Sequence, residues 1–202
     1  MADQLRVPGV PFPLVPSAAR VWQVDEATVT VSAQPHTDIF VDPAVGGATT
    51  LNAATLLGAA PEGDFQLSAR VTVGFAATFD AGVLLLWADE RHWGKLCFEL
   101  SPAGEPMIVS VVCRGVADDA NAFVVPPGPV WLRISRVDRV YAYHASLDGD
   151  AWQLIRVFAL ADDTSGDRIG FEGQSPTGEG CEVTFDEIRF RPERLADLRN
   201  GA

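Results

Sequence analysis

The amino-acid sequence predicts an all-β protein, an antiparallel jelly-roll β-sandwich built as a single domain. Three observations support an antiparallel sandwich before any family is considered. Apolar residues recur with a period of two, turn-forming residues interrupt the chain at short intervals, and helical periodicity is weak throughout. A period of two is diagnostic because successive strand side chains point to opposite faces of a sheet. About ten short strands without a convincing crossover helix leave a sandwich or jelly roll as the architecture.

Each element has its own signal. Residues 1–19, with Pro8, Pro11, Pro13 and Pro16, read as an extended leader draped over the sheet. Asn52 to Leu57 and Pro192 to Leu198 are the two candidate helices. Phe65, Leu67, Ala69, Val71 and Val73 alternate with Gln66, Ser68, Arg70 and Thr72, a half-buried strand with one wet face. Gly82 to Trp87 is short and apolar at every position, so both of its faces are expected to be covered. Further strand-like runs are Trp93–Leu100, Pro106–Arg114, Pro129–Val137, Val140–Leu147, Trp152–Phe158 and Arg168–Phe171. In the last strand, Cys181 to Arg191, the buried phase switches from Val183 and Phe185 to Ile188 and Phe190, which predicts a bulge near Asp186. Turn chemistry sits at Pro102-Ala-Gly104, Pro126-Pro-Gly128, Asp148-Gly149 and Ser165-Gly166, and Asp148-Gly149 predicts a hairpin. With no internal repeat or charged linker, residues 20–191 are expected to form the sandwich and 192–202 a tail.

Composition narrows the function. The 202 residues carry 27 acidic and 15 basic side chains, a net charge of −12. That balance argues against nucleic-acid and anionic-membrane partners, which reward clustered Lys and Arg. Hydrophobic residues make up 48% and charged ones 21%, too apolar for a disordered chain. No run approaches the roughly 18 apolar residues of a membrane span. Met1 to Arg6 lacks the basic segment and apolar run of a secretory signal. Cys97, Cys113 and Cys181 are odd in number and lack metal-like spacing, so they read as reduced thiols in a cytoplasmic protein.

A set of segments in a fixed order adds a family resemblance. They are Trp22, Thr37-Asp38-Ile39-Phe40, Gly63-Asp64-Phe65, Phe79 to Leu85, His92-Trp93-Gly94-Lys95 and Glu99. Ile108 to Val112, Ser146 to Trp152, Gly170-Phe171 and Ser175-Pro176 complete the set. Over about residues 20–191 the chain resembles the family catalogued as domain of unknown function 1349. That family is similar to the fungal regulation-of-enolase protein and implies a concanavalin A-like lectin/glucanase sandwich. The chain departs from the family pattern at Cys113 to Asn121, where the usual Trp is missing, and at Phe40, where an aromatic is displaced from its place after Asp38.

The candidate site lies on Trp93 to Glu99. Trp93, Lys95, Cys97 and Glu99 share one face, while Leu96, Phe98 and Leu100 point to the other. The first face is too polar for a core, so it is expected to be open and groove-like. In one reading Trp93 stacks on a flat ligand surface, while Lys95, Glu99 and Arg114 hydrogen-bond its polar groups. Asp38 completes the candidate ligand-binding set. Arg114 or Arg133 is expected to meet Glu99 or Lys95 across strands. The competing reading is a cross-strand ion pair on a solvated sheet beside an amphipathic Trp. Cys97 reads as a small filler thiol.

Catalysis is the weaker expectation. Glycoside hydrolysis needs two carboxylates flanking a bond, and the acidic Glu-x-Asp-x-Glu pattern is absent. Glu182 with Asp186 straddles the expected bulge, and Glu99 and Glu172 converge only if the fold brings them together. No catalytic residue is therefore assigned. His36-Thr37-Asp38 and Asp118-Asp119 offer metal-ligand types, but His92 and His144 lack partners at ligand spacing, so no metal is expected. Without a P-loop or dinucleotide fingerprint, no cofactor is expected either. The sequence reading is a non-catalytic binder of a small, carbohydrate-type molecule. The alternative is a protein-interaction module resembling the enolase regulator.

Overall fold

The computed structural model describes residues 4–161, 163 and 165–201. Two seven-stranded antiparallel sheets are stacked, with strands numbered in chain order. Sheet A runs β1 (Val15–Pro16), β6 (Ala54–Ala59), β15 (Arg168–Gln174), β8 (Ala81–Asp89), β9 (His92–Leu100), β10 (Pro106–Arg114) and β11 (Ala117–Val124). Sheet B runs β14 (Gln153–Phe158), β13 (Val140–Ser146), β12 (Val130–Val137), β7 (Phe65–Val73), β16 (Cys181–Arg191), β3 (Thr28–Ala33) and β2 (Trp22–Val24). A separate ribbon pairs β4 (Ile39–Val41) with β5 (Thr49–Leu51). The architecture is the predicted antiparallel jelly-roll sandwich.

The main core lies between the sheets. Leu84, Leu86, Leu96, Phe98, Ile108 and Phe171 from sheet A belong to one cluster with Leu67, Val71, Leu132, Ile134, Tyr143 and Phe185 from sheet B. A second core lies on the opposite face of sheet A. There Ile39 and Val41 of the ribbon join Leu57, Val83, Leu85, Trp93, Cys97, Val109 and Val111. Val83 to Leu86 is therefore buried on both faces, as its continuous apolar run predicts.

The leader is built into the sandwich. Leu5 and Leu14 exchange backbone hydrogen bonds of 2.8 and 2.9 Å, Leu14 is fully buried, and Val15–Pro16 forms the edge of sheet A against β6. Gly9, at φ +82°, accepts a bond from the Phe190 N–H, and a Cβ there would collide with the Ile188 carbonyl.

Both candidate helices are corrected. Most of Asn52 to Leu57 belongs to β6, which pairs Leu57 with Val15 and Leu56 with Phe171. Two flanking strands satisfy its backbone, and that outweighs the weak local propensity. Residues 192–198 contain no helix. Leu195 is buried, and the Leu198 carbonyl oxygen hydrogen-bonds His144 Nε2 at 2.9 Å.

The predicted bulge is present. Pairing of β16 with β7 shifts register between Asp186 and Arg189, with Glu187 at φ +46°. Arg70 braces it with a fork onto Asp186 of 2.7 and 2.6 Å and an ion pair with Glu187 at 3.0 Å. Among the described residues no helix is long and apolar enough to cross a membrane.

Candidate functional site

The period of β9 sets Lys95 and Glu99 on the outer face of sheet A, opposite Leu85 and Ala81 of β8. The chain before β4 supplies the nearest partner. Thr37 is bridged to Ser175, the Asp38 N–H donates to Asn52 Oδ1 at 2.9 Å, and the Ile39 N–H donates to Asp38 Oδ1 at 2.7 Å. So held, Asp38 accepts a 2.9 Å bond from Lys95 Nζ, and Gln174 Oε1 accepts another at 2.9 Å. Gln174 in turn donates to the Phe79 carbonyl at 3.1 Å.

Phe79 is placed by a tight loop. The buried Asp80 carboxylate accepts 2.8 Å bonds from the N–H groups of Ala76 and Ala77, and a 2.6 Å bond from the Ser175 hydroxyl. These bonds hold Phe79 at φ +68°, a conformation that non-glycine residues rarely adopt. Phe79 is 37% exposed.

A cleft of about 330 Å³ opens here. Lys95, Glu99 and Gln174 line it, with the carboxylates of Asp38 and Asp119. Phe40, Phe79 and Pro176 supply apolar surface. Burial works against the Lys95 ammonium, but the carboxylates of Asp38 and Glu172 outweigh it and raise its pKa. Burial pushes the Glu99 carboxyl up to about 8, with Lys95 opposing and Asp119 adding to the rise. Among the described residues Glu99 makes no hydrogen bond or ion pair. Glu172 is fully buried with neither oxygen partnered, and burial carries it to about 8 as well. Around neutral pH both carboxyls are largely protonated, and Glu99 presents a donor and an acceptor to the cleft.

Three sequence expectations are corrected. Trp93 is fully buried, with its Nε1 unpartnered, inside the second core. Packing beneath the ribbon covers that end of the face, so Trp93 is no stacking platform. Arg114 falls in the opposite phase at the end of β10 and donates to the Ala159 carbonyl at 3.3 Å. Arg133 lies on sheet B and donates to the Gly201 carbonyl at 2.6 Å, so neither arginine meets Lys95 or Glu99. The Lys95 ion pair itself is buried and reaches a loop, not a cross-strand neighbour. Burial pushes the Cys97 thiol well up despite Lys95, consistent with a filler. Among the described residues no three His, Cys, Asp or Glu side chains are grouped to hold a metal ion.

Of the candidate set, the structure brings Lys95, Glu99 and Asp38 together in this cleft. The sequence reading missed Phe79, Gln174 and Asp119 as parts of the same cleft. The available signal was Phe79-Asp80 before an apolar strand, a bulky residue beside a loop-capping carboxylate.

The chain is similar to Regulation of enolase protein 1 of Saccharomyces cerevisiae, with 27% identity over 162 residues, 79% of each protein. A putative beta-xylosidase of Escherichia coli is 32% identical over 74 residues, which is 31% of this chain and 14% of that protein. A solved S. cerevisiae structure, described as a functionally unknown protein, matches with TM-score 0.73 and 25% identity, covering 86% of this chain and 92% of that one. The GH43 protein BlXynB of Bacillus licheniformis, as its K247S mutant, matches with TM-score 0.70 and 14% identity, covering 93% and 37%, a likeness of fold alone. The family model described as protein of unknown function (DUF1349) matches residues 17–193, and the chain belongs to that family.

Proposed function

We propose that the cleft on sheet A binds a small polyhydroxylated, carbohydrate-type ligand without transforming it. The observation that carries this reading is Glu99, 8% exposed, lining the cleft and without a hydrogen-bond partner among the described residues. A buried polar group left unpaired costs about 1–3 kcal/mol, and a bound hydroxyl would remove that penalty. Lys95 and Gln174 stand beside it, while Phe40 and Phe79 offer ring faces to the C–H side of a sugar. Hydrolysis would need a second available carboxylate. Asp38 is held by Lys95 and Glu172 is sealed in the sheet face, which leaves Asp119 as the other carboxylate lining the cleft.

A second reading, a regulatory protein-interaction module, is favoured by the similarity to Regulation of enolase protein 1. The exposed large apolar residues Val15, Val45, Phe79, Val116, Val124 and Leu147 lie on separate turns and strand ends. That spread supports a small ligand over a flat protein interface. The unpaired Cys97, Cys113 and Cys181 support a reducing, cytosolic setting.

Calorimetric titration with neutral mono- and oligosaccharides tests the proposal. Saturable binding to one class is expected, weakened about ten-fold by Glu99→Leu and by Phe79→Ala. No binding across the panel, or binding unchanged in both variants, overturns the cleft assignment. Release of reducing ends that stops in Glu99→Gln overturns the non-catalytic part.

A further inference from the structure

The outer face of sheet B, partly covered by the segment from Glu193 to Gly201, has a different chemistry. On β12, Val130, Leu132 and Ile134 enter the core, so Trp131, Arg133 and Ser135 turn outward. On β7 the outward set is Gln66, Ser68 and Arg70. On β16 the bulge reverses the phase, sending Ile188 and Phe190 inward and Arg189 and Arg191 outward. Register then sets Arg133, Ser68 and Arg189 in one row across three strands, with Ser135, Gln66 and Arg191 in the next. The three arginines line a cavity of about 60 Å³, together with Gln66, Ser68 and Trp152.

Such a grouping is unfavourable unless something neutralises it. The chain has 27 acidic residues to supply partners, and other arginines use them. Arg70 pairs with Asp186 and Glu187, Arg156 with Asp118, and Arg194 with Asp64 and Asp138. Arg133, Arg189 and Arg191 form no ion pair among the described residues. Arg133 is 6% exposed, with one N–H bonded to the Gly201 carbonyl, its guanidinium 4.2 Å from the Trp152 ring and its Nε without a partner. Burial and the charge of Arg191 push its pKa down to about 10, as for a cation lacking a counter-ion. His144, its register partner on β13, brings no negative charge, and burial and Arg133 lower its pKa to about 4.

A second recess of about 80 Å³ adjoins the cavity and shares Ser68, Gly149, Trp152 and Arg189 with it. Trp131, Asp148, Asp150 and Glu187 line the rest. Carboxylates there accept hydroxyls and repel a second phosphate, which disfavours polyphosphates and nucleic-acid backbones.

We propose that this face of sheet B is an oxyanion site for the phosphoryl group of a phosphorylated sugar or polyol, whose hydroxylated part lies in the recess lined by Trp131 and Trp152. Guanidinium forks match tetrahedral oxyanions geometrically as well as in charge. The cavity has room for one such group, and the site is separate from the cleft on sheet A.

The test is calorimetry and thermal melting of the full chain at low salt, with inorganic phosphate, glucose 6-phosphate and glucose as probes. Phosphate is expected to raise Tm, with an effect that shrinks as salt rises. Glucose 6-phosphate is expected to bind about ten-fold more tightly than phosphate. The double variant Arg189→Gln/Arg191→Gln removes two exposed, unpaired side chains and should fold normally. It is expected to lose phosphate affinity by about ten-fold or more, whereas Arg6→Gln/Arg20→Gln, with the same charge change, should stay within about two-fold. Phosphate binding that survives the first pair, or falls equally with the second, overturns the site. Equal affinity for phosphate and glucose 6-phosphate overturns the sugar recess, and equally tight binding of glucose at the arginines overturns the oxyanion assignment.

Discussion

Lys95 on sheet A and Arg133 on sheet B are both nearly sealed from solvent, at 2% and 6% exposure, yet their surroundings are opposite in sign. Lys95 touches the carboxylate of Asp38, a counter-charge supplied from within the chain. Arg133 has Arg191 as its charged influence and a single backbone carbonyl as acceptor. A buried charge matched from within the chain acts as a strut: Lys95 ties β9 to the loop before β4 and to β15. A buried charge without a counter-ion among the described residues points outward, toward a ligand.

The largest expected effect concerns β9 itself. Phe98→Ala and Trp93→Ala should each lose about 3–5 kcal/mol in urea unfolding, because each empties a packed site on one of the two faces. A Trp93→Ala variant within about 1 kcal/mol of the parent would mean that this end of sheet A is open after all. The two buried cations should then separate. Lys95→Met leaves Asp38 without its ammonium and should lose about 3 kcal/mol, moderated because the Asp38 side chain keeps 22% exposure. Arg133→Met breaks no ion pair and should lose about 1 kcal/mol, the worth of its bond to Gly201. Equal losses would erase the contrast between the two faces.

The faces should also respond oppositely to pH. Glu99 and Glu172 have folded pKa values near 8, above the ordinary 4.5. Their contribution is full below pH 4.5 and declines as pH rises toward 8, because the folded state then holds protons that the unfolded state has lost. His144 runs the other way. Its folded value of about 4 lies below the ordinary 6.5, so its contribution is present above pH 6.5 and is lost as pH falls toward 4. Melting curves should show Glu172→Gln flattening the alkaline decline by about 5 °C and His144→Gln flattening the acid one by less. Neither variant should change the other's limb.

How much of this was legible depends on how far the information sits along the chain. The alternation in Phe65–Val73, the Asp148-Gly149 hairpin and the bulge at Asp186 are local, and all three are present. Gly149 adopts the positive φ, +82°, that the turn requires. Asn52 to Leu57 misleads because its strand character comes from β1 and β15, neither adjacent in sequence. Trp93 misleads for the same reason, since its cover comes from a ribbon about fifty residues upstream. For the cleft, alternation alone brought Lys95 and Glu99 to one face. Gln174 and Phe79 required the register of β15 with β8 and the loop fold around Asp80. The arginine cavity was half legible, because the phase switch after Asp186 already turns Arg189 and Arg191 outward. Only the pairing of β12, β7 and β16 brings Arg133 beside them.

The smallest expected effect bears most directly on the contrast. Arg191 makes no ion pair among the described residues, and its charge disfavours that of Arg133. Replacing it with Gln therefore removes a repulsion and breaks nothing. Surface substitutions away from special features usually stay within about 0.5 kcal/mol, and here the sign should be stabilising. In a phosphate-free buffer of low ionic strength, Arg191→Gln should melt slightly above the parent. The gain should shrink as salt screens the parent's repulsion. Adding phosphate should reverse the order, because the parent gains a bound anion that the variant holds poorly. A variant less stable than the parent without phosphate would show that Arg191 already has a partner within the chain, and sheet B would then be matched internally, as sheet A is.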